Sequence, residues 1–156
     1  EKPLFGICLG MQLLMTESWE FGRFKGLGII EGEVVKFANP MGPQGKLKVP
    51  QVGWNRIYPR PVNNVSGDAV NSGKNPWVGS ALEGLKEGEF MYFVHSYYVK
   101  PQKQDVTLSL SSYGDIEFCS SLKHRNIFAS QFHPERSGAQ GLRVYRNLVS
   151  SVQKAD

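Results

Sequence analysis

Cys8, His133 and Glu135 are the side chains whose types and settings could together carry out nucleophilic chemistry. Cys8 lies in Gly6-Ile7-Cys8-Leu9-Gly10, with a glycine two residues to either side. That is the pattern of a nucleophile elbow, a sharp strand-to-helix turn that leaves the reactive side chain strained and exposed and needs small neighbours. The amides opening the following helix favour thiolate over thiol, so the setting is expected to raise the reactivity of Cys8. Late in the chain, Phe132-His133-Pro134-Glu135 places an imidazole and a carboxylate two positions apart. In an extended segment that spacing points both side chains to the same side. Glu135 would then orient the ring of His133 and stabilise its charged form, while His133 takes the thiol proton and returns it to a leaving group. A cysteine followed far downstream by a histidine and an acid suits several thiol hydrolases, so the three residues indicate a mechanism and leave the substrate open.

The elements that must position these residues can be read from hydrophobic patterning. Leu4 to Ile7 is a short apolar run of the kind found in a strand buried on both faces of a parallel sheet, and it leads into the helix-forming stretch Met11 to Met15. A glycine-rich segment follows, with Gly22, Gly26, Gly28 and Gly32, then a short strand over Glu33 to Phe37 and a Pro/Gly loop from Asn39 to Gly45. Val49 to Asn55 reads as extended, which gives the sheet a β-rich edge. Residues 59–79 are rich in Asn, Ser, Gly and Pro, and a surface loop or insertion is expected there, inside a single domain spanning residues 1–156. Strands are predicted over Phe90 to Val94, Tyr97 to Val99, Val106 to Leu110, Glu117 to Leu122 and Ile127 to Gln131. Leu142, Tyr145, Arg146 and Val149 recur at helical spacing and predict a C-terminal amphipathic helix.

Composition narrows the class. The 156 residues, 40% hydrophobic and 21% charged, suffice for one globular core. No apolar run approaches the ~20 residues that span a bilayer, and no secretory signal is visible, so a cytoplasmic location is expected. The 2 cysteines lie far apart in different apolar segments, which argues against a disulfide framework and for a reducing compartment. A net charge of +4 is modest, and its scatter lacks the clustering of a nucleic-acid binder. The 3 histidines, at 95, 124 and 133, show no metal-ligand spacing.

Gly6-Ile7-Cys8-Leu9-Gly10-Met11-Gln12 together with Gln131-Phe132-His133-Pro134-Glu135 resembles the paired signatures of class I glutamine amidotransferases, whose triad is Cys, His and Glu. Gly26 to Gly32, Val49 to Asn55, Tyr92 to Tyr97 and Pro134 to Gly138 are similar to the glutaminases of imidazole glycerol phosphate synthases, from Lys2 to about Val149. The resemblance implies an α/β, flavodoxin-like amidotransferase fold with a partly parallel central sheet. It also implies an enzyme that hydrolyses L-glutamine through a thioester at Cys8. The ammonia would pass to a (β/α)8-barrel cyclase, separate or fused, which makes imidazole glycerol phosphate and an aminoimidazole carboxamide ribotide (AICAR) from PRFAR in histidine biosynthesis. No metal or organic cofactor is implied for the glutaminase, nor a nucleic-acid or membrane partner.

By position, the resemblance assigns Gln12, Glu20, Tyr92, His95 and Ser96 to the glutamine pocket and Trp54 and Asn55 to the surface facing the cyclase. Cys119 matches nothing catalytic and is expected in the core. The family begins with roughly half a sheet before the cysteine strand, including a glycine-containing loop that completes the oxyanion hole. The chain, which opens at Glu1, is therefore expected to be truncated at its N-terminus and impaired in turnover, since one oxyanion donor is worth ~3 kcal/mol. Two other readings stay open. One is the glutaminase of another class I amidotransferase, such as those of CTP or anthranilate synthesis, and the other is a truncated, inactive binding module.

Overall fold

The computed structural model describes residues 2–61 and 76–153. In chain order the elements are β1 (Leu4–Ile7), α1 (Leu9–Leu13), β2 (Met15–Ser18), β3 (Phe24–Lys25), β4 (Ile30–Lys36), β5 (Met41–Gly42), β6 (Gly45–Lys46) and β7 (Gln51–Pro59). They continue with β8 (Glu89–His95), β9 (Tyr97–Pro101), a 3-10 turn (Gln104–Val106), β10 (Thr107–Tyr113), β11 (Ile116–His124), β12 (Ile127–Ser130), a second 3-10 turn (Pro134–Arg136) and α2 (Gly138–Gln153).

Six strands form the main sheet in the order β1-β12-β11-β10-β7-β8. The β1–β12 pair is parallel, with Ile7 opposite Ser130, and the other pairs are antiparallel. A second sheet, β3-β2-β4-β9, combines a parallel β2–β4 pair with antiparallel neighbours. The architecture is therefore a mixed α/β one, and the Pro/Gly loop expected at Asn39 to Gly45 contains the β5–β6 hairpin.

Because successive side chains of a strand face opposite ways, β11 and β12 feed two cores. Phe118 and Phe128 join Phe93, Phe132, Trp77 and the α2 residue Val144 on one face. Cys119, Ile127 and Ala129 join Met11, Leu14 and Val34 on the other. Burial on both faces explains the near-continuous apolar run at Ile127 to Ala129.

Two expectations change on this frame. The helix predicted to reach Met15 stops at Leu13, and Met15 opens β2. A helix of 5 residues has little stability of its own, and the glycine-rich segment supplies what it lacks. The N–H groups of Leu27 and Ile30 bond the carbonyls of Leu13 and Leu14 at 2.8 and 3.0 Å, satisfying acceptors that a helix end leaves open. A Cβ on Gly26 would lie 2.1 Å from Met15 O, so only glycine can make this approach.

Of the loop expected at 59–79, residues 62–75 lie outside the described residues. Beyond them Trp77 is 1% exposed and its indole N–H donates to Leu108 O at 3.2 Å, so this ring anchors the chain to the core while its neighbour Val78 stays exposed. Second, the inward stripe of α2 runs through Gly141, Val144 and Leu148, whereas Leu142 and Val149 are more than half exposed.

Candidate functional site

Cys8 occupies the turn between β1 and α1 with φ 50° and ψ −102°, in the left-handed half of backbone space that side chains normally avoid. Three contacts hold it there. Its N–H donates to Ser130 O at 2.7 Å, and its carbonyl accepts from the N–H groups of Met11 and Gln12 at 3.0 and 3.2 Å. Of the two flanking glycines, Gly6 is sterically required, since a Cβ there would come within 2.9 Å of the Gly10 carbonyl carbon, while the Gly10 position has open space beside it.

His133 leaves β12 in extended conformation, and its N–H donates to Tyr92 O at 2.9 Å. The thiol of Cys8 is directed at Val94 O, 3.9 Å away, two residues further along β8. The nucleophile and imidazole segments thus dock on neighbouring carbonyls of one strand, β8. His133 Nδ1 lies 2.6 Å from Glu135 Oε1, and His133 Nε2 is buried with no hydrogen-bond partner among the described residues. Glu135 reaches the ring from a 3-10 turn, not from the extended segment expected, because Pro134 starts that turn. The contact survives the change of backbone.

The turn carrying His133 and Glu135 is clamped by residues that the sequence reading passed over. Ser137 Oγ donates to His133 O at 2.6 Å and accepts from Tyr92 N at 3.0 Å, tying the turn to β8. Helix α2 lies against it so closely that a Cβ on Gly141 would fall 1.9 Å from Pro134 O. The spacing of Ser137, Gly138 and Gly141 carried that signal, since a glycine inside a helical pattern marks either weakness or a close approach.

The electrostatics of Cys8 differ from the expectation. Burial pushes its thiol above the ordinary value, and the charges of Glu135 and Glu20 push the same way. A hydrogen bond from the Leu9 backbone and one from the Gln131 side chain oppose them without prevailing. A helix of 5 residues has little dipole to set against desolvation, which is the largest influence on the thiol and favours its neutral form. Cys119 is buried and pushed up to about 12 by desolvation, as an inert core thiol should be.

The residues assigned to a glutamine pocket do not all converge. Gln12 and Glu20 do act on the Cys8 region: Gln12 Nε2 donates to Tyr97 O at 3.0 Å and to Gln131 Oε1 at 3.2 Å, and the charge of Glu20 is felt at the sulfur. Tyr92 and His95, three apart on one strand, point their side chains to opposite faces of β8. The Tyr92 ring stands edge-on to Trp54, with the Arg136 guanidinium 4.4 Å over it.

His95 is 6% exposed, with Nδ1 2.8 Å from Tyr97 O and Nε2 3.0 Å from the Gln51 amide. Both ring nitrogens are engaged by protein, so His95 supports the site and does not present itself to a ligand. Burial lowers it to about 4, and a neutral ring that donates from Nδ1 accepts at Nε2, which requires the Gln51 amide to turn its NH2 to the ring. Ser96 contributes its carbonyl, which accepts from Phe37 N at 3.0 Å. Trp54 is 55% exposed, and Asn55 is anchored through Ser112 O at 2.8 Å. Among the described residues no group of three or more His, Cys, Asp or Glu could hold a metal, and no helix is long and apolar enough to cross a membrane.

A strained cysteine between strand and helix, with a His–Glu pair docked on the strand its thiol faces, is the arrangement of a class I glutamine amidotransferase. Residues 1–151 match the family described as glutamine amidotransferase class-I, and the chain belongs to it. It is 44% identical over 151 residues to the imidazole glycerol phosphate synthase subunit HisH of Syntrophotalea carbinolica, covering 94% of this chain and 64% of that protein. It is 40% identical over 153 residues to HisH of Aquifex aeolicus, covering 98% and 63%. The chain thus spans just under two thirds of the length of these relatives. A solved structure from Thermoplasma acidophilum, described as a GMP synthase component, superposes with a TM-score of 0.60 at 19% identity, over 98% of this chain and 58% of that one. It shares the fold.

Proposed function

We propose that this chain is the glutamine-hydrolysing part of a HisH-type subunit of imidazole glycerol phosphate synthase, acting in histidine biosynthesis. The observation that carries the chemistry is the His133–Glu135 pair, with its second ring nitrogen buried and free beside the strand that Cys8 faces. Its assignment to this synthase is supported by the identity with HisH proteins along nearly the whole chain.

In the proposed reaction His133 Nε2 accepts the proton of the Cys8 thiol as sulfur attacks the side-chain carbonyl carbon of L-glutamine. The imidazolium, neutralised by Glu135, returns that proton to the amide nitrogen. The C–N bond breaks, ammonia leaves and a glutamyl thioester remains on Cys8. Water, deprotonated by His133, then cleaves the C–S bond, releases glutamate and restores the thiol. Starting from a thiol with a raised pKa, sulfur becomes nucleophilic only as its proton moves, so the base is essential to the first step.

The exposed face of β7 and β8 is the proposed docking surface for the (β/α)8 cyclase that receives the ammonia. Val52, Trp54 and Phe90 stand exposed there, with Arg56 stacked at 4.3 Å over Phe90 and Arg136 over Tyr92. Aromatic and arginine side chains of this kind anchor protein interfaces. The test is glutamine hydrolysis by the complete glutaminase with its cyclase. Glutamate and imidazole glycerol phosphate should form together, and Cys8→Ala should abolish both when glutamine is the nitrogen source while leaving synthesis from added ammonia intact. Unchanged glutamine hydrolysis in Cys8→Ala overturns the mechanism.

A further inference from the structure

We propose that Gln131 is a positioning residue for the nucleophile: its side-chain NH2, locked in orientation by Gln12, donates to Cys8 Sγ and holds the thiol in place. This rests on the reading of Cys8 as nucleophile given above.

The argument is one of donor and acceptor inventory. A primary amide can present either its oxygen or its NH2 to a neighbour, and the two faces resemble each other in shape. At Gln131 the choice is forced from a distance. The backbone carbonyl of Tyr97 can only accept, so Gln12 must turn its NH2 to it, at 3.0 Å. The second N–H of the same group then points at Gln131, which must answer with its oxygen, at 3.2 Å. The NH2 of Gln131 is left facing Cys8 Sγ at 3.4 Å. His95 Nδ1 donates to the same Tyr97 carbonyl at 2.8 Å, which occupies its second lone pair and fixes it in turn. Gln131 is fully buried, and its backbone N–H is bonded to Ser120 O at 2.9 Å, so neither end of the residue is free to drift.

A sulfur that receives an N–H bond keeps its remaining lone pairs pointed away from the donor, and it holds negative charge more readily than one facing an amide oxygen. The charged and titratable groups that surround Cys8 make this donor matter. The charges of Glu135 beyond β12 and of Glu20 beyond β2 both oppose the thiolate, and burial disfavours a charge on His95 of β8 that could balance them. The Leu9 backbone and the Gln131 side chain are the groups that favour the thiolate by hydrogen bonding. His133 supplies a balancing charge only after it has taken the proton.

The experiment follows alkylation of Cys8 by iodoacetamide from neutral to alkaline pH, with peptide mass mapping to locate the label, in wild type, Gln131→Met and Gln12→Met. This readout needs no turnover, and a merely structural role for Gln131 would not move it. The expected result is a midpoint about one pH unit higher in Gln131→Met, hence roughly tenfold slower labelling at a fixed pH below it. Gln12→Met should shift the midpoint in the same direction by less, because the released Gln131 amide can then turn its oxygen to the sulfur. Gln12 is only half-buried, so its variant carries the test if Gln131→Met fails to fold. Unchanged midpoints in the folded variants overturn the proposal. A wild type that shows the shifts on mutation yet never hydrolyses glutamine with its partner upholds the role of Gln131 and overturns the function proposed above. Hydrolysis without the shifts does the reverse.

Discussion

His133 Nδ1 stands 2.6 Å from Glu135 Oε1 while Nε2 of the same ring is buried with no protein partner among the described residues. Native structures rarely leave a buried nitrogen unpaired, and the exception calls for a role. A ring that donates from Nδ1 to a carboxylate has its lone pair on Nε2, which is the tautomer a general base needs. Glu135→Gln should keep the shape of this contact and remove the charge. The expected outcome is a fall in kcat for glutamine hydrolysis of about 10²- to 10⁴-fold with KM little changed, read by steady-state glutamate release. Glu135 is 46% exposed, so the melting temperature should stay close to wild type. A proportional rise in KM with kcat unaltered contradicts the role.

The backbone of Cys8 yields a prediction independent of its sulfur. A non-glycine residue held at φ 50° and ψ −102° is strained by about 1–3 kcal/mol, and glycine at the same position is not. Both Cys8→Ala and Cys8→Gly should be inactive. Cys8→Gly should nevertheless be the more stable of the two by about 1 kcal/mol, after allowance for the larger entropy of an unfolded glycine. Urea unfolding of the pair measures this, and an alanine variant as stable as the glycine one shows that the turn is not strained.

Much of this site could be read from the residue order, and the part that could not has a physical reason. Gly6, Cys8, His133 and Glu135 announce themselves through types that are costly or reactive at fixed local spacing. The strand at Leu4 follows from a short continuous apolar run and those from Phe90 onward from runs of β-favouring residues; apart from β10, which continues past Leu110 to Tyr113, they are found within two residues. What escaped depends on contacts between distant segments. The brevity of α1 is set by Leu27 and Ile30 capping it from 14 and 16 residues away, as their bonds to Leu13 and Leu14 show. The side chain of Tyr92 faces outward and that of His95 inward, a consequence of strand alternation that a match of motifs does not register. The thiol of Cys8 is raised rather than lowered because burial is a property of the packed site, invisible in a pentapeptide.

Gly141 connects the fold to the chemistry by steric means. A Cβ there would sit 1.9 Å from Pro134 O, and backbone on both sides cannot yield as a flexible side chain would. Gly141→Ala should therefore push α2 off the turn that carries His133 and Glu135. Overpacking of this kind costs about 1–3 kcal/mol, despite the better helix propensity of alanine. Thermal unfolding should show the loss, and glutamine hydrolysis should fall further than stability alone requires because the His133–Glu135 pair moves with the turn. A stabilised Gly141→Ala, as propensity alone would give, refutes the close approach.

His95 makes stability depend on pH in a direction that can be worked out. Burial lowers it from 6.5 in the unfolded chain to about 4 in the folded one. Between those values the unfolded state binds a proton that the folded state does not, so acid draws the equilibrium toward unfolding. The contribution of neutral His95 is complete above its unfolded pKa, declines as pH falls through the window from 6.5 to about 4, and levels off below it. A shift of this size corresponds to roughly 3 kcal/mol over the window. His95→Gln retains groups able to meet Tyr97 O and Gln51 but does not titrate. The variant should lose some stability at neutral pH and lose much less than wild type on going to the acid end of the window, as measured by urea unfolding at a series of pH values. Equal acid sensitivity in the two proteins places the titrating group elsewhere and denies His95 a neutral, buried state.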